Sequence, residues 1–325
     1  MCTAINFKSK DHYFGRNLDL GYSYQETVTV TPRNYPFHFR AMGTMESHYA
    51  MIGMAYVVEG YPLYYDATNE KGVSIAGLRF AGNAYYPDAH EGKDNIPPFE
   101  FIPWILSQCA TMEEVRKKLE EISLVNISYS EALPLTPLHW MISYKEESLV
   151  VESMKDGLHI YENPVGVLTN NPAFPMQLWN LNNYMGLTSG KPGNCFAKGI
   201  ALENYSLGMG ALGLPGDLSS ASRFVRAAFV LNNSVCGESE EESVGQFFHM
   251  LTAVEHQRGC VKTGEGEYEI TVYSSCCNTD RGIYYYTTYG NRQISGVDMY
   301  RENLDGNRVI SYSLVKNEQI FLQNS

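Results

Sequence analysis

Apolar and β-branched residues fall in short runs broken by polar turns. Thr3-Ala4-Ile5-Asn6-Phe7, Tyr13-Phe14-Gly15 and Thr27-Val28-Thr29-Val30 predict three opening strands, with pairing from residue 3 onward. Further strands are predicted over residues 49–58, 73–78, 139–143, 149–152 and 158–160, and a late set over 268–275 and 282–287. Alternation of apolar and polar positions is imperfect, which predicts strands buried on both faces. Helical spacing marks four segments. Thr111-Met112-Glu113-Glu114 is a capping box opening a helix through residue 122, with Val115, Leu119 and Ile122 on one face. The others span 98–109, 219–231 and 240–254. Strands and helices come in blocks without strict alternation, so an α+β arrangement, helices packed on antiparallel sheets, is favoured over a doubly wound parallel sheet. No repeat, linker or low-complexity tract divides the chain, and one domain over 1–325 is expected.

Composition sharpens this picture by exclusion. At 325 residues with 44% hydrophobic and 18% charged residues, the chain can bury a sizeable core. Its 24 Lys and Arg against 36 Asp and Glu give a net charge of −12, and no basic run occurs. Nucleic acid and an anionic membrane are therefore poor partners. The first twenty residues carry Lys8, Lys10, Asp11, Arg16 and Asp19 with no apolar signal segment, and no stretch approaches the ~20 apolar residues of a membrane span. A soluble, cytoplasmic protein is expected. Seven scattered cysteines, an odd number, suit reduced thiols better than a disulfide framework.

Motifs for cofactors are weak. Gly208-Met209-Gly210-Ala211-Leu212-Gly213 fits GxGxxG, but Pro215 and Gly216 follow where a dinucleotide-binding helix would already run, so a tight glycine loop is expected. His256, Cys260, Cys276 and Cys277 lack metal-site spacing, since adjacent cysteines do not easily face one tetrahedral ion. No GxSxG, P-loop or HExxH occurs, and no cofactor or metal is expected.

Cys2 carries the most chemistry. Removal of Met1 would leave a thiol and a free α-amine on one residue, a nucleophile with its own base. An α-amine has an ordinary pKa of about 7.7–8.0 and is partly unprotonated near neutrality. The bland alternative is a small apolar residue beginning a strand. Phe14-Gly15-Arg16-Asn17-Leu18-Asp19 lies about a dozen residues on, the distance of a hairpin return, which would bring Arg16 and Asp19 beside residue 2. A carboxylate there can orient an amine, and a guanidinium favours a thiolate over a thiol; an ordinary ion pair in a turn is the alternative.

Met1-Cys2-Thr3 followed by that hexapeptide resembles the choloylglycine hydrolases, the N-terminal-nucleophile amidases that include bile salt hydrolases and penicillin V acylases. Gly72-Val73-Ser74-Ile75-Ala76-Gly77-Leu78, Leu168-Thr169-Asn170-Asn171-Pro172 and Gly213-Leu214-Pro215-Gly216-Asp217 with Ser222-Arg223-Phe224 are similar to that family's segments in the family's order, so the resemblance runs from residue 1 to about 320. It implies a four-layer αββα fold, a homotetramer, and hydrolysis of an amide between a bulky acyl group and a small amine. By resemblance, Cys2 is the nucleophile, Arg16 and Asp19 tune the thiol and hold the amine, Asn170 donates to the oxyanion, and Arg223 is a second active-site arginine. Asn171 is the register alternative to Asn170, as Arg226 is to Arg223; a turn and a helix surface are the plain readings of these positions.

One position departs from the pattern. Arg79 follows Ala76-Gly77-Leu78 where bile salt hydrolases generally show asparagine and penicillin acylases tyrosine. The resemblance implies that the backbone N–H there helps bind the oxyanion, which a side-chain change leaves intact. The guanidinium either pairs with the carboxylate or sulfonate of a glycine or taurine leaving group or fills the pocket. Aromatic segments at 21–24, 83–87 and 99–101 are candidate walls for an apolar acyl cleft, against core packing as the alternative. Conjugated bile acids are the expected substrates, with penicillin V or N-acyl homoserine lactones second and a silent amphiphile binder third. Because residue 2 is small, Met1 is expected to be removed in the cell.

Overall fold

The structure is a computed structural model that describes residues 1–324. Two strands, β1 (Cys2–Lys8) and β2 (His12–Leu20), form an antiparallel hairpin in which Cys2 faces Leu18, Thr3 faces Asn17 and Ala4 faces Arg16. The second strand also pairs with the strand Ile270–Asn278. Gly15 is needed for that approach: a Cβ there would lie 2.0 Å from the Ser275 carbonyl oxygen.

These strands belong to a six-stranded sheet ordered Val167–Leu168, β1, β2, Ile270–Asn278, Ile283–Thr288 and Asn291–Asp298. The second sheet has eight strands, running from Gly157–Glu162 through Glu147–Met154, Leu138–Tyr144, Ser74–Arg79, Tyr61–Asn69 and Met51–Val58 to β3 (Thr27–Thr31) and Ile310–Ser313. Every pairing within these two sheets is antiparallel. Ala4, Phe14, Val28, Ile52, Ala76, Leu78, Met141 and Val150 come from both sheets and form one buried cluster between them. Helices α1 (Phe101–Gln108) and α2 (Met112–Glu121) cover the outer face of the eight-stranded sheet, packing on Ile75, Trp140, Ile142 and Val151. After α3 (Phe174–Asn180), helices α4 (Ser220–Asn233) and α5 (Glu240–Thr252) cover the outer face of the six-stranded sheet through Phe224, Phe247 and Leu251. The result is the four-layer αββα sandwich that the resemblance implies. With a layer on each side, the inner strands are buried on both faces, which is why their sequences alternate poorly.

Several sequence expectations differ in detail. Thr111 caps α2 by accepting the Glu114 N–H at 3.3 Å, but the Glu114 carboxylate takes the Ala110 N–H at 2.6 Å, so the box is not reciprocal. A reciprocal box occurs instead at α5, between Ser239 and Glu242. The strand Tyr61–Asn69 escaped the pattern because Pro62 and Asp66 interrupt its apolar run. The late strand expected over 268–275 is two elements, Glu267–Tyr268 and Ile270–Asn278. Gly208 and Gly213, at φ 81° and 97°, flank a single 3₁₀ turn as a glycine loop, with no dinucleotide-type helix at residue 214. Among the described residues no helix is long and apolar enough to cross a membrane, and all seven cysteines are free thiols.

Candidate active site

The hairpin register decides what surrounds residue 2. Cys2 is buried at the start of β1, in the cluster between the sheets. The backbone of β2 extends the ladder past it, because the Asp19 N–H donates to the Met1 carbonyl at 2.8 Å. Arg16, Asn17 and Asp19 are fully buried on a strand that is otherwise apolar, so each needs partners.

Arg16 points between the sheets. Its Nη1 donates to the carbonyls of Gly77 and, at 3.1 Å, Tyr65, both on the facing sheet, while Nη2 is buried with no partner. Burial alone would depress its pKa, but Cys2, Tyr273, Asp66 and Asp19 hold it above the ordinary arginine value. Asp66 itself accepts from the hydroxyls of Tyr273 and Tyr284, each at 2.6 Å, and from Ser275 at 3.3 Å. A charged, hydrogen-bonded knot therefore ties the two sheets together beneath Cys2.

Asn17 and Asp19 point the other way, toward α4 and α5. Asn17 donates to the Leu251 carbonyl at 2.9 Å and accepts from Ser274 at 2.7 Å. One oxygen of Asp19 accepts from Thr271 at 2.6 Å, and the other, Oδ2, has no hydrogen-bond partner. Burial pushes the Asp19 carboxyl up, opposed by Arg223, the chain-terminal ammonium, Thr271 and Arg16.

Asn170 and Arg223 close the site. Asn170 Oδ1 accepts from the Cys2 N–H at 2.8 Å and from Arg223 Nη2 at 2.7 Å, and its Nδ2 donates one hydrogen to the Arg79 carbonyl at 2.8 Å. Two donors converging on Oδ1 fix the amide orientation, leaving the second N–H of Nδ2 without a partner among the described residues. Arg223 Nη1 donates to the Cys2 carbonyl at 2.6 Å and the Thr3 hydroxyl at 2.7 Å, and stands 4.0 Å from Asp19 Oδ2. Desolvation lowers its pKa against the pull of Asp19, Cys2 and Glu269. Asn171 lies apart, donating to the Ala81 carbonyl at 2.8 Å, and Arg226 reaches the carbonyls of Ala253 and Asp217. Ser220, at the start of α4, accepts the Asn170 N–H at 2.8 Å and so joins the two segments that carry Asn170 and Arg223.

Arg79 ends its strand with an exposed side chain, and among the described residues its guanidinium makes no hydrogen bond or ion pair. Of the candidate cleft walls, Tyr22 and Tyr85 are exposed, whereas Phe101 is buried against Trp140 under α1 and belongs to the core. A cavity of about 460 Å³ lies between α5 and the strands Ile270–Asn278, Ile283–Thr288 and Asn291–Asp298, lined in part by Thr271 and Ser274, the partners of Asp19 and Asn17.

Three residues of this site, Glu269, His256 and Thr271, carry no motif. The Met1 amine is bound by Glu269 and by the Asp19 carbonyl at 2.6 Å, and His256 stands between Asp19 and Glu269. Glu269, His256 and Thr271 lie some 250 residues from β2 in sequence, and only polar residues placed in or beside an apolar strand run hint at them. Asp19, His256 and Glu269 are also the one group among the described residues close enough to hold a metal ion. However, Nε2 of His256 faces Asp19 at 3.9 Å and Nδ1 faces Glu269 at 3.7 Å, so the ring bridges the two carboxylates rather than converging with both on one point.

Residues 2–312 match the model of the linear amide C–N hydrolases, choloylglycine hydrolase family. The chain is 55% identical over 324 residues to a bile salt hydrolase/transferase of Lactiplantibacillus plantarum, covering 100% of both chains. It is similar in structure to a mutant of the conjugated bile acid hydrolase of Clostridium perfringens, with a TM-score of 0.91, 38% identity and 100% of both chains covered. A penicillin V acylase from Agrobacterium tumefaciens shares the fold, with a TM-score of 0.74 over 98% of this chain and 92% of its own at 21% identity.

Proposed function

The chain belongs to the linear amide C–N hydrolases of the choloylglycine hydrolase family, and from that premise we propose that it cleaves the amide of glycine- or taurine-conjugated bile acids through Cys2. The observation that carries the chemistry is the convergence on residue 2: its N–H on Asn170, its carbonyl on Arg223, and its buried side chain beside Arg16. The substrate class rests on full-length identity to a bile salt hydrolase/transferase.

With Met1 removed, the Cys2 α-amine takes the thiol proton and the sulfur attacks the amide carbon. Arg16, with a donor left over, supplies positive charge beside the sulfur. The oxyanion of the tetrahedral intermediate takes the free N–H of Asn170 Nδ2 and the backbone N–H of Arg79. Collapse breaks the C–N bond, and the α-ammonium returns its proton to the departing amine. Water, deprotonated by the same amine, then attacks the thioester and regenerates the thiol. An amine in place of water would take the acyl group instead; the name of the Lactiplantibacillus plantarum relative also includes a transferase. Arg79, exposed at the end of its strand and without a side-chain partner among the described residues, pairs in this reading with the carboxylate or sulfonate of the leaving amine. In this reading the chain works as a single domain over 1–325, as a homotetramer in the cytoplasm and without a cofactor; light scattering tests the tetramer.

The test is release of glycine and taurine from a panel of conjugated bile acids by protein whose intact mass lacks Met1, with Cys2→Ala as control and penicillin V and an N-acyl homoserine lactone alongside. Release that vanishes in Cys2→Ala supports the proposal. A chain that lacks Met1 and cleaves only the penicillin or the lactone overturns the substrate, and a chain that cleaves none of them overturns the activity.

A further inference from the structure

His256 is fully buried, yet among the described residues neither ring nitrogen has a hydrogen-bond partner. A buried polar side chain without partners carries a desolvation cost, and here two acceptors stand close by. Nε2 faces Asp19 Oδ2, itself unpartnered, at 3.9 Å, and Nδ1 faces Glu269 Oε1 at 3.7 Å. Closing either gap to hydrogen-bond length takes a shift of about 1 Å. A neutral imidazole has one N–H and one lone pair, so it can serve only one carboxylate and turns a lone pair toward the other. Only an imidazolium donates to both.

The charges around the ring explain why it is not bridged while Met1 is present. The groups facing it are Asp19 from β2, Glu269 just before the strand Ile270–Asn278, Arg223 from α4 and the Met1 ammonium ahead of β1. Glu269 is neutralised by that ammonium. Burial, Arg223 and the terminal ammonium together depress the His256 pKa to about 4, against the pull of Glu269. Removal of Met1 takes the ammonium from Glu269 and leaves a carboxylate, 11% exposed, beside an imidazole with a lone pair to spare.

We propose that His256 and Glu269 form a positioning relay for the nucleophile: once Met1 leaves, His256 takes a proton from solvent, and its two N–H groups bridge Glu269 and the free oxygen of Asp19. The bridge fixes the Asp19 carboxylate at its second oxygen, the first being held by Thr271, whose hydroxyl in turn accepts the His256 backbone N–H at 2.8 Å. Asp19 then holds the Cys2 amine in line with the thiol. His256 touches neither substrate nor sulfur and acts through Asp19. The inference rests on the proposed removal of Met1 and the proposed use of its amine.

Two measurements test it. Cys2→Ala protein is prepared with and without inhibition of methionine aminopeptidase, so that the two samples differ in Met1 alone, and the His256 ring is titrated by NMR. The expected result is a His256 pKa higher by about 1.5 units or more in the sample lacking Met1; equal values overturn the proposal. Hydrolysis of a conjugated bile acid is then followed against pH. The wild type is expected to lose kcat as pH rises through the His256 pKa, because deprotonation removes one of the two bridges. His256→Gln lacks that alkaline limb and has kcat lower by about tenfold with KM within about twofold. In Glu269→Gln the limb moves to lower pH, since the carboxylate that favours the imidazolium is gone. An unchanged alkaline limb in His256→Gln overturns the relay. If the wild type hydrolyses nothing, the functional proposal fails, and the paired titration still decides whether loss of Met1 charges His256.

Discussion

Asn170 joins Cys2, the proposed nucleophile, to a backbone grip and to the proposed oxyanion donor, and two substitutions separate these roles. In Asn170→Ala the buried Cys2 N–H and Arg223 Nη2 lose a shared acceptor held at 2.8 and 2.7 Å. A hydrogen bond to a charged group contributes about 1.5–3 kcal/mol, and stranding a second buried donor adds about 1–3 kcal/mol. The unfolding free energy should therefore fall by about 3–5 kcal/mol. Asn170→Asp keeps the acceptor and sets a carboxylate against the Arg223 guanidinium, but it loses the Nδ2 bond to the Arg79 carbonyl and turns an acceptor toward it, so the loss should be about 1–2 kcal/mol, smaller than for Asn170→Ala. It also removes the N–H proposed to meet the oxyanion, which costs on the order of 10²–10³ in kcat. Urea unfolding of both variants carrying Met1, prepared with methionine aminopeptidase inhibited, and initial rates of glycine release after mass analysis confirms loss of Met1, separate the effects. An Asn170→Asp protein that keeps kcat within tenfold of wild type would refute the assignment of Nδ2 to the oxyanion. One as unstable as Asn170→Ala would refute the account of Oδ1 as the acceptor that anchors Arg223.

Gly15→Ala places a Cβ against the Ser275 carbonyl and should cost about 3 kcal/mol or more in urea unfolding, because β2 and Ile270–Asn278 cannot separate without disturbing Arg16 and Asp19. Glu100 is buried, with Oε1 accepting the Arg40 N–H at 2.9 Å and Oε2 unpartnered, and burial raises its pKa to about 7. Between its unfolded pKa near 4.5 and about 7 the folded state binds more protons, so this group lowers stability as pH rises. Glu100→Gln should accordingly match wild type at pH 4.5 and exceed it by about 2–3 kcal/mol at pH 8, measured by unfolding at both. Arg79→Asn should leave stability within about 0.5 kcal/mol, since the guanidinium has no partner among the described residues. The same change should lower kcat/KM for glycine and taurine conjugates about tenfold relative to an uncharged amide of the same bile acid; an unchanged ratio would assign the side chain to pocket filling.

Local features were readable in the sequence and distant ones were not. The hairpin that sets Arg16 and Asp19 near Cys2 is a short-range structure with its apolar run and turn in plain view, and the helices at 219–231 and 240–254 carry their own periodicity. Asn170 and Arg223 stood out by family resemblance alone, because an Asn-Asn-Pro turn and a helix arginine have many ordinary uses. The resemblance favoured Asn170 over Asn171 and Arg223 over Arg226, and the structure brings Asn170 and Arg223 to Cys2 while Asn171 and Arg226 bond elsewhere. Asp66 sits in a strand disguised by Pro62, and Glu269, His256 and Thr271 meet β2 across about 250 residues, a separation no local pattern encodes. Phe101 misled as a cleft candidate because an aromatic in a helix start looks the same whether it faces a ligand or Trp140.

The central claim is that Cys2, freed of Met1, carries the acyl group during turnover. Acid-quenching the reaction with a taurine-conjugated bile acid within the first turnovers and mapping the protein by mass spectrometry tests it directly. The account predicts a thioester adduct of the bile acyl mass on an N-terminal peptide that begins at Cys2, absent from Cys2→Ala. Turnover by a chain that still carries Met1, or an acyl adduct on any other residue, would contradict it.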